Sequence, residues 1–337
     1  MAKYSLNRLV RGYMAPQTSH TAAATVTGSN YFLCNKLSLE TVTQMIRRED
    51  ITGSLTDLPG IIGRRSGTWS IDADLTGSGA AGTPPSLDPL YASLFGQTAT
   101  VNAGTSVAYS LCDDAKSFTL YKYVRSSDGT PTTAQIGFGA VPRTVSFSLG
   151  QDLAKVSASG DCLFVIENDV WGNLDTSMKG GLASFPAEPS TPSQSSVAIV
   201  GFTGSITLDS QTQVSLKSAG VTINTGKAMV YSFGGYIPND WESDMRSISM
   251  SLTLDDDNGT ALADLKSKSF LGSTIECDLQ IGTIAGSTCL LTLKGVQLSQ
   301  FKYLEGSRRL QVSFDGSIAH GTNPAASSND ALAMLWT

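Results

Sequence analysis

The chain has 337 residues, with 23 Lys and Arg set against 29 Asp and Glu, for a formal net charge of −6. That balance excludes the basic stripe by which a non-specific nucleic-acid binder grips phosphates, and the presence of only two histidines excludes a histidine-rich metal centre. Charged residues are only 15% of the chain, and 33 glycines with many Ser and Thr take their place, the composition of short strands joined by tight turns.

Small hydroxyl side chains cost little to desolvate, so such a surface suits a protein that covers much of itself with its own copies. Five cysteines (Cys34, Cys112, Cys162, Cys277 and Cys289) form no CxxC pair and read as buried apolar residues in a reducing compartment. Met1–Ser5 opens no apolar signal core. No apolar run reaches the roughly 18 residues a membrane helix needs. The expectation is a protein made in a cytoplasm that stays there or leaves by lysis.

In chain order the first strand is Leu37-Ser38-Leu39, followed by a long segment, 46–67, before the alternating strand Ser70-Ile71-Asp72-Ala73-Asp74-Leu75. A short helical pattern covers Leu87–Leu94, and a turn-rich hairpin runs from Tyr123 to Phe138, read as the largest insertion of this half. Then Gly139-Ala140, Gly150, Val156-Ser157 and Gly160 recur at identical spacing as Gly295-Val296, Gly306, Val312-Ser313 and Gly316. Leu37–Leu39 with Met45 matches Val221–Ile223 with Met229, Ser70–Leu75 matches Ser247–Leu252, and a second helical pattern covers Ala261–Leu265. Preserved order across these matches indicates a duplicated module. The period-two alternation puts one face of each strand on a core and the other in water. The expected fold is all-β, sandwich- or barrel-like, with one short helix per copy. The expected boundaries are copy 1 with an N-terminal arm at 1–171, a Pro/Ser/Gly-rich linker at 172–194, copy 2 at 195–320 and a C-terminal tail at 321–337. The apolar Leu332–Trp336 of that tail should be buried, against its own chain or a neighbour.

Catalytic and metal patterns are weak. His20 and His320 have no second ligand or triad partner nearby in sequence. Asp255-Asp256-Asp257-Asn258-Gly259 fails the calcium-loop register and reads as a turn into a helix. Asp72, Asp74, Glu49 and Asp50 read as solvated faces rather than a glycosidase pair. Gly77–Gly82 lacks the Lys-Ser/Thr of a phosphate loop. No cofactor and no metal are expected. Two segments exceed any local role, 46–67 and 226–246. They carry Arg47, Arg48, Leu55, Leu58, Ile61, Ile62, Arg64 and Arg65 in the first, and Tyr231, Phe233, Tyr236, Ile237 and Trp241 in the second. Apolar arms with aromatic anchors and flanking arginines read as interface.

The run 47–96 resembles the tail tube (major tail) proteins of long-tailed bacteriophages. The resemblance rests on the Arg-rich approach at Arg47-Arg48, on Gly63–Gly67, Gly77–Gly79, Gly82–Pro85 and Leu87–Leu90, and on the paired Gly139 and Gly295 strands. It implies a non-enzymatic virion protein, with long strands that join those of neighbours into an inner barrel. A tandem duplication then implies trimeric rings of pseudo-sixfold symmetry, stacked head to tail. Itself, the tape-measure, the tail terminator and the baseplate or tip proteins are the implied partners. DNA would pass through the bore without specific binding. Asp72 and Asp74 with Ser249, Ser251 and Thr253 are the expected lumen lining, since hydroxyls and carboxylates do not hold a passing polyanion. The alternative is a carbohydrate- or receptor-binding β-sandwich of the tail tip or fibre.

Overall fold

A computed structural model of the chain describes residues 5–48, 59–126, 131–150, 152–190, 192, 197–200, 203–213, 216–257, 259–299, 301–304, 309–318 and 329–337. The fold is mostly β-sheet. The principal elements of the first half are β1 (Ser5–Pro16), β2 (Lys36–Ile46), β3 (Ile61–Asp74), helix α1 (Asp88–Phe95), β4 (Ser106–Leu111), β5 (Phe118–Ser126), β6 (Pro131–Leu149) and β7 (Lys155–Cys162). The second half supplies β8 (Leu216–Asn224), β9 (Ser247–Asp255), helix α2 (Thr260–Leu271), β10 (Thr274–Ile281), β11 (Cys289–Leu298), β12 (Lys302–Leu304), β13 (Gln311–Ile318) and β14 (Asn329–Trp336).

One antiparallel sheet runs through both halves in the order β2-β3-β7-β6-β8-β9-β13, with β11 and β12 on the far side of β13. Directly opposed residues share a face, so the register defines crosswise rows. Leu37, Ile71, Ala158, Val145, Ile223 and Ile248 form one such row, all buried in a core cluster common to both halves. Helix α1 lies over this core with Pro89–Phe95 all buried, and Tyr91 stacks between Phe147 and Trp336. Helix α2 buries only Leu262, Leu265 and Ser269.

The two halves repeat each other at the level of register. Phe118 faces Ala140 and Leu120 faces Gly137, so the ladder skips across Gly139 (φ 63°). Ile275 faces Val296 and Cys277 faces Leu293, skipping across Gly295 (φ 69°). A bulge of this kind needs a left-handed residue, which glycine supplies without steric cost. A Cβ on Gly139 would also meet Leu163 Cγ at 2.4 Å.

Two sequence alignments shift. Gly160 faces Trp69 and Gly316 faces Met250, so Trp69 and Met250 are equivalent, four residues away from the match of Ser70 with Ser247. Leu39, opposite Trp69, is likewise equivalent to Val221, opposite Met250, rather than to Ile223. Period-two sequences can slide by two or four residues and keep the same faces, so alternation alone does not fix the offset. The Tyr123–Phe138 hairpin is not the large insertion either, because its counterpart β10–β11 spans the same register. The additional chain of the first half lies between α1 and β5, as the hairpin Thr100–Asn102/Ser106–Leu111. That hairpin has a structural role: β14 inserts between β11 and β4, pairing with both. The C-terminal apolar segment is therefore buried within its own chain.

A second core lies under the Pro-containing segment 172–190. Tyr13, Tyr121 and Tyr123 cluster there, with Tyr121 and Tyr123 stacked at 6.1 Å, and Leu174, Met178, Leu182 and Phe185 pack against the same cluster. Glu188 pins the segment: its 3%-exposed carboxylate accepts Arg11 at 3.2 Å and Arg125 at 2.8 Å, and Tyr13 donates its hydroxyl to it. Burial, with the Glu188 charge adding to it, pushes Tyr13 from 10 up to about 12, and burial does the same to Tyr121. A folded-state pKa above the unfolded one gives stability that is complete below pH 10 and lost as pH rises through 12. Thermal unfolding should therefore fall steeply across that window, with tyrosinate absorbance appearing together with unfolding. Ionisation of these tyrosines near pH 10 in the folded protein would contradict this packing.

Candidate assembly surfaces

The face of the shared sheet opposite the core is lined with small polar groups. One row crosses from Lys36 through Asp72, Ser157, Ser146, Thr222 and Ser249 to Ser317. The next runs through Asp74, Lys155, Ser148, Gly220, Ser251 and Asp315, and Thr253 follows in the row of Ser218 and Ser313. Asp72, Asp74, Ser249, Ser251 and Thr253 thus lie on one face of one sheet, although they come from different halves. Ser157 donates to Asp72 at 2.7 Å, Asn35 donates to Asp74 at 3.1 Å, and the Ser146 and Thr222 hydroxyls meet at 3.1 Å across the junction of the halves. Lys36 and Lys155 each stand opposite an aspartate, so the cations of this part of the face are matched by anions.

The described ends of segment 46–67 lie at the outer part of the β2–β3 pairing. Ladder pairing of β2 with β3 continues to Ile46 opposite Ile61, beyond the end of β7. Along it Val42 (44% exposed), Met45 (63%), Ile46, Ile61 and Ile62 face solvent. Arg47 and Arg48 follow as exposed residues, and Leu55 and Leu58 lie outside the described residues. Segment 226–246 contains a second hairpin, Lys227–Val230 with Asp240–Ser243, in the corresponding place between β8 and β9. The two segments touch: Arg64 lies 4.6 Å from the Tyr231 ring centroid, and the Arg65 amide donates to the Tyr236 carbonyl at 2.7 Å. Phe233 is fully exposed.

Trp241 corrects the expectation of an anchor offered to a neighbour. It is buried against the second core of its own chain, with its indole N–H donating to the Gly139 carbonyl at 3.1 Å. Ile237 and Met229 pack on the same cluster. The bulge at Gly139 leaves a carbonyl free of the ladder, and the indole satisfies it. Sequence reading also missed a cationic clamp at this junction. Lys227, 6% exposed, donates to the carbonyls of Asp113 and Asp114 and to Ser243, and Arg246 donates to the Cys112 carbonyl at 2.9 Å. Burial lowers the pKa of both groups, with mutual repulsion adding to it for Lys227. Nothing in sequence distinguished these two cations from solvated ones.

One constellation has catalytic form. His20 Nδ1 lies 2.9 Å from Ser117 Oγ, and its Nε2 lies 3.7 Å from Asp240. The serine is 5% exposed, which leaves a substrate no approach to the hydroxyl, and the histidine ties the residue preceding β5 to the second hairpin. His320 lies outside the described residues. The acidic run before α2 is paired with basic side chains: Asp255 forms ion pairs with Lys217 at 3.1 Å and Arg309 at 3.6 Å, and Asp256 accepts from Lys266 at 2.8 Å. Among the described residues no cluster of three His, Cys, Asp or Glu could hold a metal ion. Among the described residues no helix is long and apolar enough to cross a membrane.

A core-backed sheet with a hydroxyl-lined outer face and an exposed apolar hairpin has the form of a structural β protein. The family model for phage tail tube proteins matches residues 8–333, and the chain belongs to that family. Membership places it in the virion, as a structural protein of the tail. Among solved structures, a chain from the virion of a native gene transfer agent particle is similar at 18% identity and a TM-score of 0.28, covering 38% of this chain and 96% of that one. No curated protein matches the sequence.

The placement of Trp241 makes a stability prediction. Trp241→Ala should cost about 3–5 kcal/mol, as core truncations of large aromatics do, whereas Phe233→Ala should stay within about 0.5 kcal/mol. Denaturant unfolding of the two variants decides the point; equal effects would mean that Trp241 is not a core residue.

Proposed function

We propose that this protein is the tube subunit itself, assembling as trimeric rings of pseudo-sixfold symmetry that stack into a hollow conduit for genome DNA. The observation that carries the reading is the single sheet that runs through both halves, in which, among the described residues, β2 on one flank and β12 on the other are each paired along one edge alone. Open edges are template surfaces for more strands, and closing them into a barrel across subunits removes them. The polar face, with Asp72, Asp74, Ser249, Ser251 and Thr253, then lines the bore. DNA carries one negative charge per about 1.7 Å of axis, so a lining of hydroxyls and matched charges lets it slide without capture. The exposed apolar stripe of the β2–β3 hairpin, with Arg47 and Arg48 at its end, serves as the contact between stacked rings. Tape-measure, terminator and baseplate or tip proteins are the further partners. The role requires no turnover and no cofactor.

Electron microscopy of the concentrated protein, with rotational averaging, should show threefold rings or hollow stacks. A closed oligomer without a bore would refute the tube role. Met45→Asp combined with Ile62→Asp should leave rings intact while abolishing stacks; stacks of unchanged length would remove the hairpin from the ring-to-ring contact.

A further inference from the structure

The chain contains one finished joint between two sheet units and the two free halves of a second. In the finished joint β6 pairs with β8: Phe147 faces Val221, Ser146 faces Thr222 and Val145 faces Ile223. The repeated register identifies which residues stand in these places at the outer edges. Gly160 and Gly316 occupy equivalent positions, opposite Pro142 and Leu298 respectively. Three residues earlier, Ser157 faces Ser146 and Ser313 faces Lys302, so Lys302 holds the place of Ser146 and Tyr303 that of Phe147. On the other flank Gly160 faces Trp69, which faces Leu39, while Gly316 faces Met250, which faces Val221. Leu39 therefore holds the place of Val221, and Glu40 that of Thr222.

Both of these strands are edges. Among the described residues β2 pairs only with β3 and β12 only with β13. Lys302 and Glu40 are exposed, as are Tyr303 (49%) and Leu304 (40%). Exposed aromatic and aliphatic residues on an edge strand mark a surface awaiting cover.

We propose that β12 of one chain pairs antiparallel with β2 of a second copy in the register of β6 with β8, so that Lys302 faces Glu40 and Tyr303 faces Leu39. The partner is this same chain, and the proposal rests on the ring reading above, to which it adds the residue-level joint. Where the internal joint has two hydroxyls, Ser146 and Thr222, the joint between chains has an opposite-charge pair. Opposite charges directly across a ladder favour this pairing, whereas like charges there oppose it. An edge bearing Lys302 therefore selects an edge bearing Glu40 over another copy of itself. The pair is exposed until the joint forms, so ring closure weakens with salt while the internal joint, built of neutral groups, does not.

The test uses the full chain under conditions where the wild type forms rings. Lys302→Glu and Glu40→Lys should each lower the ring fraction several-fold with unchanged thermal unfolding of the subunit, and the double reversal should restore it. Lys302→Cys with Glu40→Cys should yield an inter-chain disulfide between the two mapped peptides on mild oxidation. Leu304→Cys with Glu40→Cys, a slip of one pleat repeat, should not. Rings that form equally well with either single reversal, or that cross-link in the slipped pair instead, would overturn this joint and leave the ring reading standing. A wild-type chain that closes no ring under any condition would overturn both.

Discussion

A strand edge is a row of N–H and C=O groups whose spacing admits another strand and little else. The ladder between β6 and β8 satisfies two such rows at once, and the remainder of the architecture is arranged around it. Because those strands belong to different halves, their pairing aligns two alternation patterns into one continuous pair of faces. The apolar rows merge into a single core cluster reaching from Leu37 to Phe314. The polar rows merge into a face that no single half could present. Had the register differed by one residue, one half would have turned its valines and isoleucines to the hydroxyl side.

Elements away from the sheet protect that junction. The second hairpin folds across the first half, where Trp241, Lys227 and Arg246 occupy carbonyls that the bulge and the loop 112–114 leave outside any ladder. Such buried cations lose hydration, and their hydrogen bonds to carbonyls offset that loss. The segment 172–190 is fastened to β1 and β5 of the first half through Glu188, held between Arg11 and Arg125. The two halves are thus secured by backbone ladder, aromatic packing and charge together.

Much of this was legible in sequence because period-two alternation reports faces directly. Asp72, Asp74, Ser249, Ser251 and Thr253 were assigned to a polar face from alternation alone, and they share it. Gly139 and Gly160 recur as Gly295 and Gly316 because a bulge and a close strand approach each favour glycine at those places. Offsets were not legible, since Ser70 fits Ser247 and Ser251 equally well by pattern. Neither was the fate of Trp241: an aromatic residue in a long loop looks the same whether it awaits a partner chain or fills a core two strands away. The position of β14 was hidden for the same reason, because Leu332–Trp336 needed the β4 hairpin for its second edge, and that hairpin lies far upstream.

That last arrangement bears on how the chain folds. Strand β4 follows α1, yet one of its two edges is covered only by β14, across most of the length of the chain. Pairing of such separated segments is slow, because loop closure must precede any gain from contact. Until β14 arrives, the Ser106–Leu111 edge and the Tyr91 ring beneath Trp336 remain uncovered. Docking of β14 on β4 is accordingly the step expected to come late in folding, after the β2–β3 and β5–β6 hairpins, whose strands lie close in sequence.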